Sequence, residues 1–318
     1  MNQINILFLG GAKRVSLAEH FIAAGGRLNC KIGIFSYELD EKCPIASVGK
    51  VIKGKKWRDA DLMEDLAHVI HVYNINIVLP SVDPAIGVAS RLRSFVDKKV
   101  FIPISDVTIC DTMFDKKLSE KWFINNQIPI PESYSCDDKL VYPVFIKPRN
   151  GSASKGLEII RNKEEWDNVS NPDNYVIQRY IENKKEYTVD CYVSQNGDII
   201  SVVPRERLAI AGGEVMSSKT LHDESIEQAS RYVLSKGAFR GPVNIQFIKD
   251  LDNGKAYVME INPRFGGGVI TSIEAGADTP SYVLKEYLGQ DLTVCQDWKP
   301  ETLMTRYFKE VIFYANNN

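Results

Sequence analysis

The chain has 318 residues, 44% hydrophobic and 25% charged, with a formal net charge of −2. At about 100–200 residues per domain the length suggests two domains, each able to bury a sizeable core, and near-neutral charge gives no electrostatic footprint for nucleic acid. No stretch approaches the roughly 18 apolar residues of a membrane span, and the apolar run at the N-terminus is too short for a signal peptide.

In chain order, the first third alternates strand and helix. INILFLG (Ile4–Gly10) reads as a buried strand, and RVSLAEHFIAAG (Arg14–Gly25) as a helix. KIGIFSYE (Lys31–Glu38) is a second strand, and the short basic cluster KGKKWR (Lys53–Arg58) is read as a solvated face. DLMEDLAHVIHVYN (Asp61–Asn74) has helical periodicity, INIVLPSVD (Ile75–Asp83) is a strand, and PAIGVASRLRSFVDKK and VFIPIS continue the alternation. Strands separated by helices imply βαβ units on a parallel sheet, so a Rossmann-like α/β domain is expected. FLGGAKR lacks the G-x-G-x-x-G fingerprint, which disfavours a nicotinamide-dependent oxidoreductase.

A helical linker is expected from Asp106 to Asn126, and Pro129 and Pro131 mark a boundary. VYPVFIKP and LEIIR then read as strands around a small-residue loop. NYVIQRYI, EYTVDCYVS and IISVV are further strands, SIEQASRYVLSKG is a helix, and VNIQFIKD and KAYVMEINP form a hairpin over LDNG (Leu251–Gly254). Strands joined by tight turns are antiparallel, so this second part is α+β. Six scattered cysteines contain no C-x-x-C pair. That argues against zinc and for free thiols in a reducing cytoplasm.

The loop in FIKPRNGSASKGLEII resembles a P-loop, because four residues separate Gly151 from Gly156. Leu157 and Glu158 follow where Lys and Ser or Thr are required, and the loop joins strand to strand, so that reading fails. The bare backbone of Gly151, Ser152, Ala153, Ser154 and Gly156 can still form an anion nest, with Lys147 supplying charge beside it. A plain hairpin loop is the alternative.

The stretch VMEINPRFGGG (Val258–Gly268) places polar residues at every second position of an apolar strand. Alternation puts Val258, Glu260, Asn262 and Arg264 on one face, and Met259 and Ile261 on the other. On the preceding strand Asn244, Gln246 and Ile248 share a face, and the hairpin would bring Gln246 close to Glu260. One carboxylate with two amide oxygens suits Mg²⁺ completed by substrate phosphates. Arg264 cannot bind a metal and suits a phosphate or carboxylate. The alternative is a solvated polar sheet face, although Asn is depleted in strands.

The order DK…FIKP-RNGSASKG…VIQRYI-ENKKEYTVD…NIQF…VMEINPR resembles the ATP-grasp superfamily, in particular the modules of the carbamoyl-phosphate synthase large subunit and short, free-standing ligases like it. The resemblance covers nearly the whole chain. It implies a Rossmann-like domain over 1–108 and an ATP-grasp domain over 109–318, with a small subdomain at about 112–182 and a large one at about 183–318. It implies an ATP site between the two subdomains. Lys116 and Lys147 would contact phosphates, and the loop bearing Gly151, Ser152, Ser154 and Gly156 would close over them. The hinge Gln178, Arg179, Tyr180 and Ile181 would read the adenine edge, and Glu186 would bond the ribose. Gln246, Glu260 and Asn262 would hold Mg²⁺, for which Mn²⁺ could substitute, and Arg264 would stabilise the transferring phosphoryl group. Arg179 stands where the family usually has glutamate, and Gln246 where many members have an acid.

The implied activity is an ATP-dependent carboxylate–amine or carboxylate–thiol ligase working through an acylphosphate and releasing ADP and phosphate. Its partners would be small-molecule carboxylates and amines, with no nucleic acid and no membrane, and a homodimer is compatible with it. Candidate acceptor residues are Arg205 and Arg207, which alternation puts on one face, with Glu214 and Lys219 near them. Others are the turns Gly10–Gly11 and Ser81-Val82-Asp83 at the ends of parallel strands, and Gly267. For Arg205 and Arg207 an ordinary charged strand end is the alternative. Phosphorylation of bicarbonate or carbamate, and a non-catalytic nucleotide-binding protein, are the competing functions.

Overall fold

A computed structural model of the chain describes residues 2–151 and 156–314. Its N-terminal part is a four-stranded parallel sheet in the order β3-β2-β1-β4, built from β1 (Asn2–Leu9), β2 (Cys30–Glu38), β3 (Lys50–Lys53) and β4 (Ile77–Pro80). Helices α1 (Val15–Arg27), α2 (Leu62–Val72) and α3 (Asp83–Leu92) run between and beyond the strands. A parallel strand covered by helices must be apolar on both faces, and β1 is: Ile4, Ile6 and Phe8 enter one core, Leu7 and Leu9 another. The expected strand VFIPIS is reduced to a single bridge between Phe101 and Ile77, since Pro103 has no N–H to extend a ladder.

The expected helical linker is two helices, α4 (Val107–Phe114) and α5 (Lys116–Asn125), broken at Asp115. Asp115 has extended backbone angles, and its carboxylate accepts from the N–H groups of Lys117 and Leu118, capping α5.

A four-stranded antiparallel sheet follows in the order β5-β8-β6-β7. Its strands are β5 (Ser133–Tyr134), β6 (Val144–Pro148), β7 (Glu158–Ile160) and β8 (Tyr175–Arg179), with α6 (Lys163–Asp167) after β7. Its core is small, centred on Val144, Ile146, Ile160 and Ile177.

The largest sheet is antiparallel and six-stranded, in the order β13-β12-β9-β10-β11-β14. It comprises β9 (Lys184–Val193), β10 (Ile199–Ala211), β11 (Glu214–Thr220), β12 (Gly241–Asp250), β13 (Ala256–Asn262) and the short edge strand β14 (Leu303–Thr305). Helix α7 (Glu224–Ser235), with α4 and α5, contributes to the core that contains Val189, Ile245 and Ile261. After β13 come α8 (Ile270–Glu274) and α9 (Thr279–Tyr287). Val283 and Leu284 of α9 and Phe265 share one core with Ile4, Ile6, Phe8 and Phe21. The N-terminal sheet and the C-terminal segment are therefore packed through a common apolar cluster, which fixes the ends of β1 and β4 beside the end of β13.

Candidate active site

Antiparallel pairing of β12 and β13 sets Asn244 opposite Asn262 and Gln246 opposite Glu260. The expected juxtaposition of Gln246 and Glu260 is thus present. The register then slips, so that Phe247 pairs with Val258 and Met259 is an extra residue. Such a bulge reverses the facing of the residues beyond it. Val258 is buried in the sheet core and Met259 lines a cleft, the reverse of strict alternation, whereas Ile261 enters the core as expected.

The cleft has a volume of about 530 Å³, within the ordinary range for small-molecule sites. From the small sheet and the helices before it come Lys116, Lys147, Gly151, Gln178, Arg179, Tyr180 and Ile181; from the large sheet come Glu186, Arg205, Arg207, Gln246, Glu260 and Arg264; Asp83 and Gly267 complete its far end. Asn262 lies behind this wall, and its Nδ2 donates to Glu260 Oε1 at 2.7 Å. That bond leaves the Asn262 oxygen and the second Glu260 oxygen as acceptors. Among the described residues no group of three His, Cys, Asp or Glu side chains converges as a metal site. Gln246, Glu260 and Asn262 therefore form a weakly charged oxygen set, which fits Mg²⁺ only if phosphate oxygens complete its shell.

Lys147 is buried with no acid in ion-pair contact among the described residues, and burial pulls its pKa down to about 8, with Glu260 and Glu120 opposing and Lys116 adding to the fall. Lys116 opens α5, and its ammonium donates to the Gly151 carbonyl at 2.8 Å. Arg149 donates to the second oxygen of Asp115 at 2.7 Å, so the helix cap also anchors the base of the glycine loop. Ser152 and Ser154 lie outside the described residues. Gly156 packs toward Pro148 and is not among the residues that line the cleft.

Glu186 accepts from Arg207 Nη1 at 3.2 Å. Arg205 is fully buried: its Nε donates to Asp190 at 2.8 Å, and Asp190 also accepts from Asn244 and Ser272 at 2.7 Å each. The Nη1 of Arg205 has no partner among the described residues. A Cβ on Gly266 would stand 2.4 Å from Asn244 Nδ2, and one on Gly268 2.7 Å from Arg205 Nη1. These glycines allow close packing on the network, and Gly267 and Gly268 line the cleft.

Two expected contacts are corrected. Gly10 and Gly11 do not line the cleft. Gly10 has a φ of +74°, and a Cβ there would stand 2.6 Å from Val82. The N–H groups of Gly11 and Ala12 face the Glu38 carboxylate, so the turn holds an internal acid. Lys219 pairs with Glu301 at 2.7 Å, away from the cleft.

Arg14 is the residue that sequence reasoning missed. It lies between the Gly10–Gly11 turn and α1, lines the cleft, and donates to the Ser81 carbonyl at 3.0 Å. Burial lowers its pKa to about 10, and neighbouring Arg264 and Arg306 push in the same direction. Its signal was available: it follows a turn at the C-terminal end of a parallel strand, where open α/β sheets bind ligands.

A family described as ATP-grasp in the biosynthetic pathway with Ter operon matches residues 171–309. The carbamoyl phosphate synthase large chain of Methanocorpusculum labreanum is 26% identical over 238 residues, 67% of this chain and 22% of that protein. The C-terminal section of the Methanopyrus kandleri large chain is 27% identical over 208 residues, 57% of this chain and 38% of that section. The chain therefore spans well under half the length of these curated relatives. Among solved structures, the biotin carboxylase domain of Hydrogenobacter thermophilus 2-oxoglutarate carboxylase superposes with a TM-score of 0.75 at 18% identity, covering 94% of this chain and 73% of that one. N5-carboxyaminoimidazole ribonucleotide synthetase of Thermotoga maritima gives 0.70 at 17%, covering 92% and 78%. Residues 171–309 are thus similar to an ATP-grasp family, and the fold is that of these solved structures.

Arg179 has a defined contact. Its guanidinium donates to the buried Asp250 at 3.0 Å, tying β8 of the small sheet to the end of β12. Asp250 also accepts from the Asp252 N–H and Asn253 Nδ2, closing the β12–β13 turn. All six cysteines are free, and among the described residues no helix is long and apolar enough to cross a membrane.

Proposed function

We propose that the chain is an ATP-dependent carboxylate–amine or carboxylate–thiol ligase that works through an acylphosphate. One observation carries this reading. A single cleft collects Lys116, Lys147 and Gly151 on one side, and Gln246, Glu260 and Arg264 on the other. In the proposed arrangement Lys116 and Lys147 neutralise ATP phosphates, residues 178–181 read the adenine edge, and Glu186 bonds the ribose. Gln246, Glu260 and Asn262 hold Mg²⁺, which supplies charge neutralisation when bound. The acceptor carboxylate attacks the γ-phosphate, ADP leaves, and an amine or thiol then displaces phosphate from the acylphosphate. Phosphoryl transfer asks mainly for in-line positioning and charge compensation, which Lys147 and Arg264 supply.

The likeness to biotin carboxylase domains, one of them solved as a dimer with MgADP, ADP and bicarbonate, supports the nucleotide and the metal and makes a homodimer a reasonable assembly. We take residues 1–108 as a Rossmann-like domain preceding the grasp domain at 109–318, with subdomains meeting near residue 182. Mg²⁺-dependent ADP release, screened over pairs of acids with amines or thiols, tests the reading. An MgADP affinity unchanged by Lys147→Ala and Glu260→Ala would sink it. The likeness to carbamoyl phosphate synthase chains supports a second reading, phosphorylation of bicarbonate or carbamate. ADP release that depends on bicarbonate and on no other acid would select it.

A further inference from the structure

Arg14 is a guanidinium in the cleft wall that donates to no carboxylate among the described residues. Among the described residues its side chain makes one hydrogen bond, to the Ser81 carbonyl, and no ion pair. The nearby acids are already engaged. Asp83 pairs with Arg264, Glu214 with Arg306 at 2.8 Å and with Lys13 at 3.7 Å, and Asp190 with Arg205. Cationic charge is therefore left in excess at this end of the cleft. A second observation points the same way. The Nη1 of Arg205, a side chain 2% exposed, is buried without a partner under Gly268. The Nη1 of Arg14 stands 3.8 Å from the position of a Cβ on the adjacent Gly267. Two guanidiniums with unused donors thus flank the Gly267–Gly268 step. A buried charge without a partner is costly, and a planar guanidinium is best satisfied by a carboxylate or a phosphate.

We propose that the acceptor acid carries a second anionic group, a carboxylate or a phosphate, beside the carboxyl that reacts, and that Arg14 binds this group at Gly267 with the spare donor of Arg205 behind it. This deepens the ligase reading and rests on it. Arg264, which is paired with Asp83, follows the β12–β13 hairpin in sequence and is a charge neighbour of Arg14, is left for the reacting carboxyl. An acceptor of this kind bridges the two, and bicarbonate, with one anionic centre, does not.

The test is equilibrium binding to the full-length chain, with MgADP affinity read first by calorimetry. Failure to bind MgADP overturns the ligase reading, and the anion site is then judged on the titrations without MgADP. Matched acids are then titrated with and without MgADP: succinate against butyrate, and 3-phosphoglycerate against glycerate. Tighter binding of the acid with the second anionic group by about 10-fold or more is expected in at least one pair, equivalent to one charge-assisted bidentate contact. The first pair reports a carboxylate and the second a phosphate. Arg14→Gln should bring the ratio to within about 2-fold, and Arg14→Lys should retain part of it, which separates charge from folding. Acids with the second anionic group that bind no tighter than their partners, including no measurable binding of either, overturn the proposal. So does an Arg14→Gln chain that keeps the preference, or such an acid that competes with MgADP for its site.

Discussion

Arg264 donates from Nε to Oδ1 of Asp83 at 2.7 Å, joining the end of β13 to the first residue of α3 across 181 positions of sequence. The two side chains are 13% and 15% exposed, so the pair is largely shielded from water. Asp83 is thereby a positioning residue for a guanidinium that also donates to the Phe265 carbonyl. Asp83→Ala should lower unfolding stability by about 2 kcal/mol, less than the loss for a fully buried pair because this one retains some solvent. It should lower kcat about 10-fold with little change in the KM for ATP, as expected when an interaction specific to the transition state is misaligned. Asp83→Asn keeps an acceptor and should recover part of kcat. Urea unfolding and steady-state ADP release check both; an unchanged kcat in Asp83→Ala would remove the positioning role.

Lys147 predicts a proton linkage. Burial holds its pKa near 8 instead of the usual 10.5. A bound polyphosphate favours the ammonium and raises that value. MgADP binding at about pH 8 should therefore take up protons, and the uptake should fade near pH 6.5, where the lysine is already charged in the free protein. Affinity should fall as pH rises through about 8. Calorimetry in buffers of different ionisation enthalpy measures this directly, and Lys147→Arg should abolish it. The sign for folding is opposite to that of a paired lysine. Between about pH 8 and 10.5 the unfolded chain binds more protons, so the penalty for burying the charge is relieved as pH rises.

The distance over which partners were brought together decided what could be read in advance. The Gln246–Glu260 pairing was legible because a four-residue turn and period-two patterning leave few registers. Val258 and Met259 were assigned to the wrong faces because a one-residue bulge leaves no mark in a short apolar strand. Gly10 and Gly11 resembled a ligand turn, yet their neighbours Glu38 and Val82 lie far along the chain and occupy the space. The turn before Arg14 marks its place at a strand end, but its surroundings come from Ser81, Arg264 and Arg306, far along the chain. The N-terminal alternation was clear, since strands buried on both faces are apolar throughout, whereas the short edge strands β3 and β14 carry little pattern to detect.

The metal set predicts a response to added charge. Gln246 faces Glu260 across β12 and β13, and only one carboxylate is present among the three proposed oxygen donors. Gln246→Glu should lower the Mg²⁺ concentration for half-maximal ADP release by about 10-fold, because ligand charge tunes affinity for hard cations. Glu260→Ala should raise it beyond about 10-fold and should also free Asn262 Nδ2, which now donates to Glu260. A Mg²⁺ titration at fixed ATP distinguishes these variants. If Gln246→Glu leaves the midpoint in place, Gln246 is not a ligand.

The last prediction concerns the pair beneath the cleft floor. Asp190 accepts from Arg205, Asn244 and Ser272, and all four side chains are buried. Asp190→Ala would strand the Arg205 charge in the sheet and remove the acceptor of two further donors. A loss of about 3–5 kcal/mol in urea unfolding is expected, the range for removing one partner of a buried ion pair. The double change Asp190→Leu with Arg205→Met removes both charges together and should cost less than Asp190→Ala alone, because no unpaired charge remains. The double variant should fold and still bind MgADP, since neither residue belongs to the proposed nucleotide contacts. It should lose any preference for acids with a second anionic group, because the buried donor under Gly268 would be gone. A double variant less stable than Asp190→Ala would show instead that Asn244 and Ser272, left without their acceptor, dominate the energetics of this floor.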